Sequence, residues 1–512
     1  MPLLRYTASA DNTIVNAFQP NLRIRGTGSN AGAADVLEVF SIYGRQTTSS
    51  QELSRALLKF PVNEISADRT ASRIPASGSV SFYLRVYNAP SSKTVPPDIR
   101  IVVNPLKTAW QEGIGLDLEG YKDLTKGNIG SNWMSASSTS SWNSVSGGGD
   151  WLSSSADYRY EQRFTSGLED MEINITPLVE RWIKGAGSGG IANYGIGLKL
   201  TSSQEASGSG KTVLASNAQS VQNNPRGATV SNYTKRFFAR GSQYFFKRPT
   251  IEARWSDVRE DDRGHFYFSS SRAPAADNLN TLYFYNLVRG RLTNLPSIGT
   301  GKLYVSLYSG SSPYNTGPSG SKLTLFNGTN VVTGGHVSTG IYSASVAIVS
   351  SNIDPLYDVW WSGSEQYFTG AIEPRLVSTG LTLEPPTYFI NITNLKDSYY
   401  PRETARFNLF VRKKNWSPNI YTVAKNNPPI TPIQSASYRV YRLLDGYEAV
   451  PYGTGSDFHT GLSYDVSGNY FDFNMKLLEP GYMYAFKFAF YDEYAKSWEE
   501  QDEVFRFKVE EY

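Results

Sequence analysis

The chain has no cysteine and only three histidines among its 512 residues. The first absence excludes disulfides, iron–sulfur clusters and thiolate zinc sites. The second leaves His265, His336 and His459, each in its own neighbourhood and none with helical His-x-x-x-His spacing, so no histidine zinc site is expected. Charge of one sign is also missing: 49 Lys and Arg against 46 Asp and Glu leave a net charge of +3. That balance makes no field to draw nucleic acid or an anionic membrane, and neither is expected as a partner. No apolar run approaches the roughly 18 residues of a membrane span. The opening Met1-Pro-Leu-Leu-Arg-Tyr-Thr7 has no basic region followed by an apolar run, so no export signal is expected. Asn-x-Ser/Thr triplets such as Asn174-Ile-Thr176 then read as chance matches, and a β-rich chain without cysteine points to a bacterial or viral product of a reducing cytosol.

What is present is aromatic and β-forming. The 34 Tyr, 25 Phe and 10 Trp occur with Gly and Ser rather than in Ala/Leu/Glu/Lys runs, which favours strands. The length suggests roughly three domains. Residues 1–256 carry strand patterns at Leu57–Val62, Val80–Tyr87 and Ile99–Asn104, with Phe82, Leu84 and Val86 alternating against Tyr83, Arg85 and Tyr87. One short helix is expected over Thr176–Ile183, with Thr176 as N-cap, Pro177 at the first position and Val179, Trp182 and Ile183 facing the sheet. Residues 257–384 open on Asp257-Val-Arg-Glu-Asp-Asp-Arg263, read as a solvated linker or turn, and continue as spaced strands. Residues 385–512 carry Leu478-Glu-Pro-Gly-Tyr-Met-Tyr484, which resembles the tyrosine corner of fibronectin type III sandwiches. The fold class expected is all-β: a large jelly-roll-like sandwich over 1–256, then two immunoglobulin-like sandwiches over 257–384 and 385–512.

The first segment is the most specific. It runs from Arg55-Ala-Leu-Leu-Lys-Phe60 through Trp110-Gln-Glu-Gly-Ile-Gly115, Asn132-Trp133 and Gly148-Gly149-Asp150. It closes through Ile175–Trp182, Asn193-Tyr194-Gly195 and Arg248-Pro-Thr-Ile251. In that order these pieces resemble the DNRLRE family of β-sandwich modules, found in bacterial and archaeal surface proteins and related to carbohydrate-binding modules. The run Gln204–Ser231 is longer and simpler than the family pattern, and Ala10-Asp-Asn-Thr-Ile14 keeps only part of its start, which weakens transfer of a ligand site. The whole chain also resembles structural proteins of marine tailed phages.

Several motifs fail on inspection. Ala206-Ser-Gly-Ser-Gly-Lys-Thr212 has Glu205 where a phosphate loop needs glycine, and no α/β unit surrounds it. Gly26-Thr-Gly-Ser-Asn-Ala-Gly32 fails as a dinucleotide loop for the same want of context. No Gly-x-Ser-x-Gly elbow is seated on a strand-to-helix turn. Glu112 and Asp150 are expected to accept backbone hydrogen bonds and hold long loops, rather than act as the acid pair of a glycosidase. Asp117, Glu119 and Asp123 share one loop and could supply hard oxygen ligands to Ca²⁺; no other cofactor is implied. Trp110 and Trp182 are expected in cores, whereas Trp142 and Trp151 flank Ser- and Gly-rich loops and could stack on sugar rings, with Asn132 and Asp150 as polar partners.

These readings converge on a non-enzymatic structural component of a bacteriophage virion, on the neck or collar, tail or capsid surface. Its partners would be other virion subunits and copies of itself. The alternative is a carbohydrate-binding adhesin of a phage tail or a bacterial cell surface.

Overall fold

The structure, a computed structural model, describes residues 2–16, 30–43, 51–91, 98–116, 130–144, 147–205, 232–270, 272–274, 276–310, 318–349, 353, 355–372, 374, 387–416, 430–453, 455–492 and 495–511. The fold is all-β, in tandem β-sandwiches. Contacts divide it into two compact units, Pro2–Trp255 with Gly455–His459, and Ser256–Thr454 with Thr460–Tyr512.

In the first unit come β1 (Leu3–Thr7), β2 (Ala10–Val15), β3 (Val36–Tyr43), β4 (Gln51–Lys59), α1 (Val62–Thr70), β5 (Ser81–Val86) and β6 (Ile99–Pro105). After a long connection follow β7 (Tyr160–Phe164), β8 (Met171–Asn174), α2 (Thr176–Lys184), β9 (Ile196–Leu200), β10 (Asn232–Phe238) and β11 (Thr250–Arg254). One sheet runs β1-β11-β5-β8; the other runs β10-β3-β4-β9-β6-β7, with β2 also on β4. The two-residue period of β5 buries Phe82, Leu84 and Val86 while Tyr83 and Arg85 stay partly exposed. Leu84 lies opposite Ile251 and Ile173 on its two neighbours. The core they share holds Leu58, Ile101, Val103, Leu198 and Phe237 from the other sheet. Each such side chain contributes about 1.5–3 kcal/mol by burial.

Both helices differ from the sequence reading. In α2, Leu178, Val179 and Trp182 are buried, and the helix starts at Thr176 itself, so the cap position is Ile175 with no side-chain bond. Thr176 instead ties the helix to the sheet: its Oγ1 accepts from the Phe82 backbone N at 2.8 Å and donates to Asn174 Oδ1 at 2.7 Å. Helix α1 was not expected, because only Val62 and Ile65 are buried and no apolar stripe marks it. It is held laterally, by two Arg69–Glu180 hydrogen bonds of 2.7 and 2.6 Å to α2.

The second unit begins with β12 (Asn280–Tyr285), β13 (Leu287–Val288), β14 (Arg291–Leu292), β15 (Leu303–Ser309), β16 (Val332–Ser338), β17 (Ile341–Val346), β18 (Leu356–Ser362) and β19 (Glu365–Ile372). Strands β12-β17-β16-β15-β18-β19 form one sheet that curls on itself, so Phe284 of one edge strand stacks on Phe368 of the other at 5.4 Å. Strands β13 and β14 make a separate hairpin. Next come β20 (Tyr388–Ile392), β21 (Ser398–Tyr399), β22 (Thr404–Lys413), β23 (Ala436–Arg442), β24 (Glu448–Val450) and β25 (Ser463–Asp465). The chain closes with β26 (Gly468–Asn474), β27 (Met483–Asp492), β28 (Ser497–Glu500) and β29 (Phe505–Val509). Sheets β20-β22-β26-β25 and β21-β29-β27-β23-β24 pack through rings, Phe407 on Phe486 at 4.8 Å and Tyr438 on Phe471 at 4.4 Å. The tyrosine-corner bond is present, with Tyr484 Oη donating to the Glu479 carbonyl at 2.8 Å.

The charged stretch 257–263 is not a solvated linker. The Arg263 side chain is 11% exposed and donates to Asp261 Oδ2 at 3.0 Å, Asp358 Oδ2 at 2.7 Å and the Tyr283 carbonyl at 3.0 Å. Asp358 has no exposed side-chain surface and also accepts from Trp360 Nε1 at 2.7 Å. The charges are buried because they are paired, and the partner lies 95 residues away.

Candidate functional site

The connection between β6 and β7 covers the outer face of the larger sheet in the first unit. Its aromatic residues build a second core: Trp133, Trp142, Leu106 and Ala136 pack on Ile14, Leu53 and Leu57, with Trp110, Trp151 and Tyr194 around them. The turn Gly147-Gly148-Gly149 has φ values of 68°, 80° and 93°, a backbone that side chains rarely adopt. A Cβ on Gly148 would stand 2.5 Å from Arg55 Nη1 and 2.8 Å from the Trp133 ring, so glycine is required there twice over.

This packing decides where the sequence candidates lie. Trp142 is 4% exposed and its Nε1 donates to the Asn132 carbonyl at 2.8 Å, so it offers no stacking face. Asn132 is buried too, its Oδ1 accepting from the Met134 and Ser135 backbone N–H groups at 2.8 Å each. Asp150 accepts from Thr108 Oγ1 at 2.6 Å and from the backbone N–H groups of Asn143 and Ser144 at 2.8 Å each. Burial alone would raise its carboxyl; those donors outweigh it and hold the group below its ordinary value. Trp151 alone of the four is partly open to solvent. Its ring lies on Gly197, where a Cβ would fall 2.2 Å from Cζ3. Lys199 Nζ stands 4.7 Å from the ring centroid and the Arg55 guanidinium 5.5 Å. Asp117, Glu119 and Asp123, the calcium candidates, lie outside the described residues. Among the described residues no group of three or more His, Asp or Glu is placed to hold a metal ion.

Two ionic clamps fix the loops to the sandwich. Arg55 makes two 2.9 Å bonds to Glu205 and one of 2.6 Å to the Gly148 carbonyl. Arg240 grips Glu112 at 2.6 and 2.7 Å, and Glu112 Oε1 also accepts from the Asp11 backbone N at 2.8 Å. Beside this clamp Asp11 is buried, and its carboxyl is pushed up to about 7. Burial is the main cause and the Glu112 charge adds to it, while the Arg240 backbone N–H and guanidinium oppose them.

The second unit also has a groove that no sequence pattern marks. It has a volume of about 290 Å³ and is lined by Tyr267, Tyr388, Lys413, Phe490, Asp492 and Glu499, with His265 on its wall. Phenol faces beside one cation and two carboxylates suit a small polar ligand with an apolar side. The lining comes from six stretches of chain, so no local motif could have announced it.

Among the described residues, no helix is long and apolar enough to cross a membrane. No known family model matches the chain. No curated protein matches it either. Among solved structures it is similar to trypsin-activated alpha-2-macroglobulin from Escherichia coli, at 10% identity over 56% of this chain and 20% of that one, with a TM-score of 0.15. It is also similar to Salmonella alpha-2-macroglobulin reacted with methylamine, at 7% identity over 97% of this chain and 28% of that one, again with a TM-score of 0.15. The chain thus spans 20% and 28% of the length of those two proteins. At that level of superposition neither likeness carries an argument about this chain.

Proposed function

We propose that the protein is a non-enzymatic structural subunit of a bacteriophage particle, on its neck, tail or capsid surface, acting by docking onto neighbouring subunits and copies of itself. The observation that supports this reading most is the β13–β14 hairpin. Leu287, Val288 and Leu292 are 60%, 50% and 38% exposed on it, with Arg289 and Arg291 between them also exposed. A two-stranded hairpin has little stability of its own, and clustered apolar side chains in water mark a surface that a partner covers. The clamped loops of the first unit fit the same role, since a rigid module loses little entropy on docking. The test is a Leu287→Asp, Leu292→Asp double variant. Unchanged folding with loss of incorporation into particles supports the reading; normal incorporation counts against the hairpin as the docking element.

The groove favours a second reading, a carbohydrate-binding adhesin of a phage tail or bacterial surface. Retention on a glycan array that Tyr388→Ala abolishes, with the melting temperature unchanged, would move this reading to first place. Retention lost only in Trp151→Ala would place the sugar on the first unit instead.

A further inference from the structure

Lys235 lies on β10, an edge strand of the larger sheet in the first unit, and its side chain is fully buried. Its Nζ donates to Asn88 Oδ1 at 2.6 Å and to the carbonyls of Gly167 and Glu169 at 2.8 Å each. The rings of Phe164 and Phe237 wall it at 4.7 and 5.1 Å. No carboxylate bonds to it among the described residues. A buried ammonium bonded only by neutral oxygens, with two rings beside it, is an expensive group to keep.

Asn88 follows β5, on the other sheet, and is bridged to Phe237 across the gap. Its backbone N donates to Asp170 Oδ1 at 2.7 Å, which fixes the residue. Its carboxamide oxygen is held by the lysine, while its Nδ2 makes no hydrogen bond among the described residues. Asn88 is only partly buried, so a small leaving group has a way out.

We propose that Lys235 and Asn88 become joined by an intramolecular isopeptide bond. The Nζ lone pair adds to Cγ of Asn88 and a C–N bond forms. The Cγ–Nδ2 bond breaks, the proton that Nζ gives up passes to Nδ2, and ammonia leaves. Atoms and electrons balance without an oxidant or co-reactant. Burial lowers the lysine to about 8, against the charges of Glu169 and Asp170, so roughly a tenth of the molecules hold the neutral amine at pH 7. A nucleophile held beside its electrophile in a water-poor pocket has a large effective concentration. The bond would close a loop between residues 147 apart and staple the two sheets of the sandwich, as a disulfide would in a chain that had cysteine. The crosslink would form whether or not the protein is part of a particle.

The test is intact-mass spectrometry of the purified full chain, followed by proteolysis. The expected mass is that encoded minus one ammonia, with a branched fragment joining the peptides that contain Asn88 and Lys235. A succinimide at Asn88 would lose the same mass, so Lys235→Arg discriminates: the deficit should vanish, and its survival would overturn the proposal. Asn88→Ala leaves the amine its two carbonyl acceptors and should also restore the encoded mass. If both variants fail to fold, the wild-type fragment decides alone. The full encoded mass after prolonged incubation, with unlinked peptides, would overturn the crosslink and leave Lys235 a hydrogen-bonded core residue.

Discussion

Asp150 shows how one residue can carry opposite readings until its neighbours are known. In the sequence it stands beside Trp151 at the end of a glycine run, where a sugar ligand could be held. In the structure its oxygens are occupied by Thr108, Asn143 and Ser144. Asp150→Ala should therefore destabilise the first unit by roughly 2–4 kcal/mol without any ligand, since charged hydrogen bonds are lost and N–H groups are orphaned. Chemical denaturation measures it, and a change below about 0.5 kcal/mol would show that the cage contributes little. Asp11 gives a pH prediction. Its carboxyl rises from 3.8 to about 7 on folding, so the folded state binds the proton more tightly. The stability this contributes is complete below 3.8 and is lost as pH rises through about 7. Asp11→Asn keeps an acceptor for the Arg240 N–H and removes the ionisation. The melting temperature of the variant relative to wild type should climb between those two pH values; a difference independent of pH would contradict the assignment.

At the scale of elements, legibility followed the range of the interaction. The alternation in β5 depends on residues two apart, and the tyrosine corner of Tyr484 on five; both could be read directly. Helix α2 was visible through its apolar spacing, yet its Thr176 hydroxyl bonds Phe82, a partner 94 residues away. Helix α1 has almost no apolar face and is held by Arg69–Glu180 across 111 residues, so propensity alone passed over it. The candidate site was less legible still. Trp142 was expected at the surface because Ser and Gly surround it, but the loop that carries it folds back over β2 and β4 and supplies its own core. The 257–263 stretch makes the same point for charge. Arg263→Met should cost about 3–5 kcal/mol, because Asp261 and Asp358 would be left buried without their cation. Replacing Arg263 and both aspartates by apolar residues together should cost far less. Equal losses in the two variants, read by denaturant midpoints, would show that the clasp stabilises the fold beyond neutralising its own charges.

For the whole molecule, the absence of cysteine leaves stability to burial, ion pairs and, by our inference, one amide crosslink in the first unit. Two well-packed units with clamped loops describe a part that keeps its shape while its surfaces meet other molecules. In the proposed function, the exposed apolar hairpin at Leu287–Leu292 is the surface that a partner covers. The Leu287→Asp, Leu292→Asp variant should fold with a melting temperature within about 4 °C of wild type, because neither side chain belongs to the core of its unit. Should the same variant lose self-association measured by sedimentation, the partner is a second copy of this chain. By the proposed function, the protein is built into a particle. The most direct measurement is electron cryomicroscopy with mass spectrometry of particles purified from the culture that carries this sequence. The account expects the protein at fixed stoichiometry on a neck, tail or capsid surface, with the hairpin covered by a neighbour. Finding it absent from particles and present on cells or in the medium would contradict that claim and favour the adhesin.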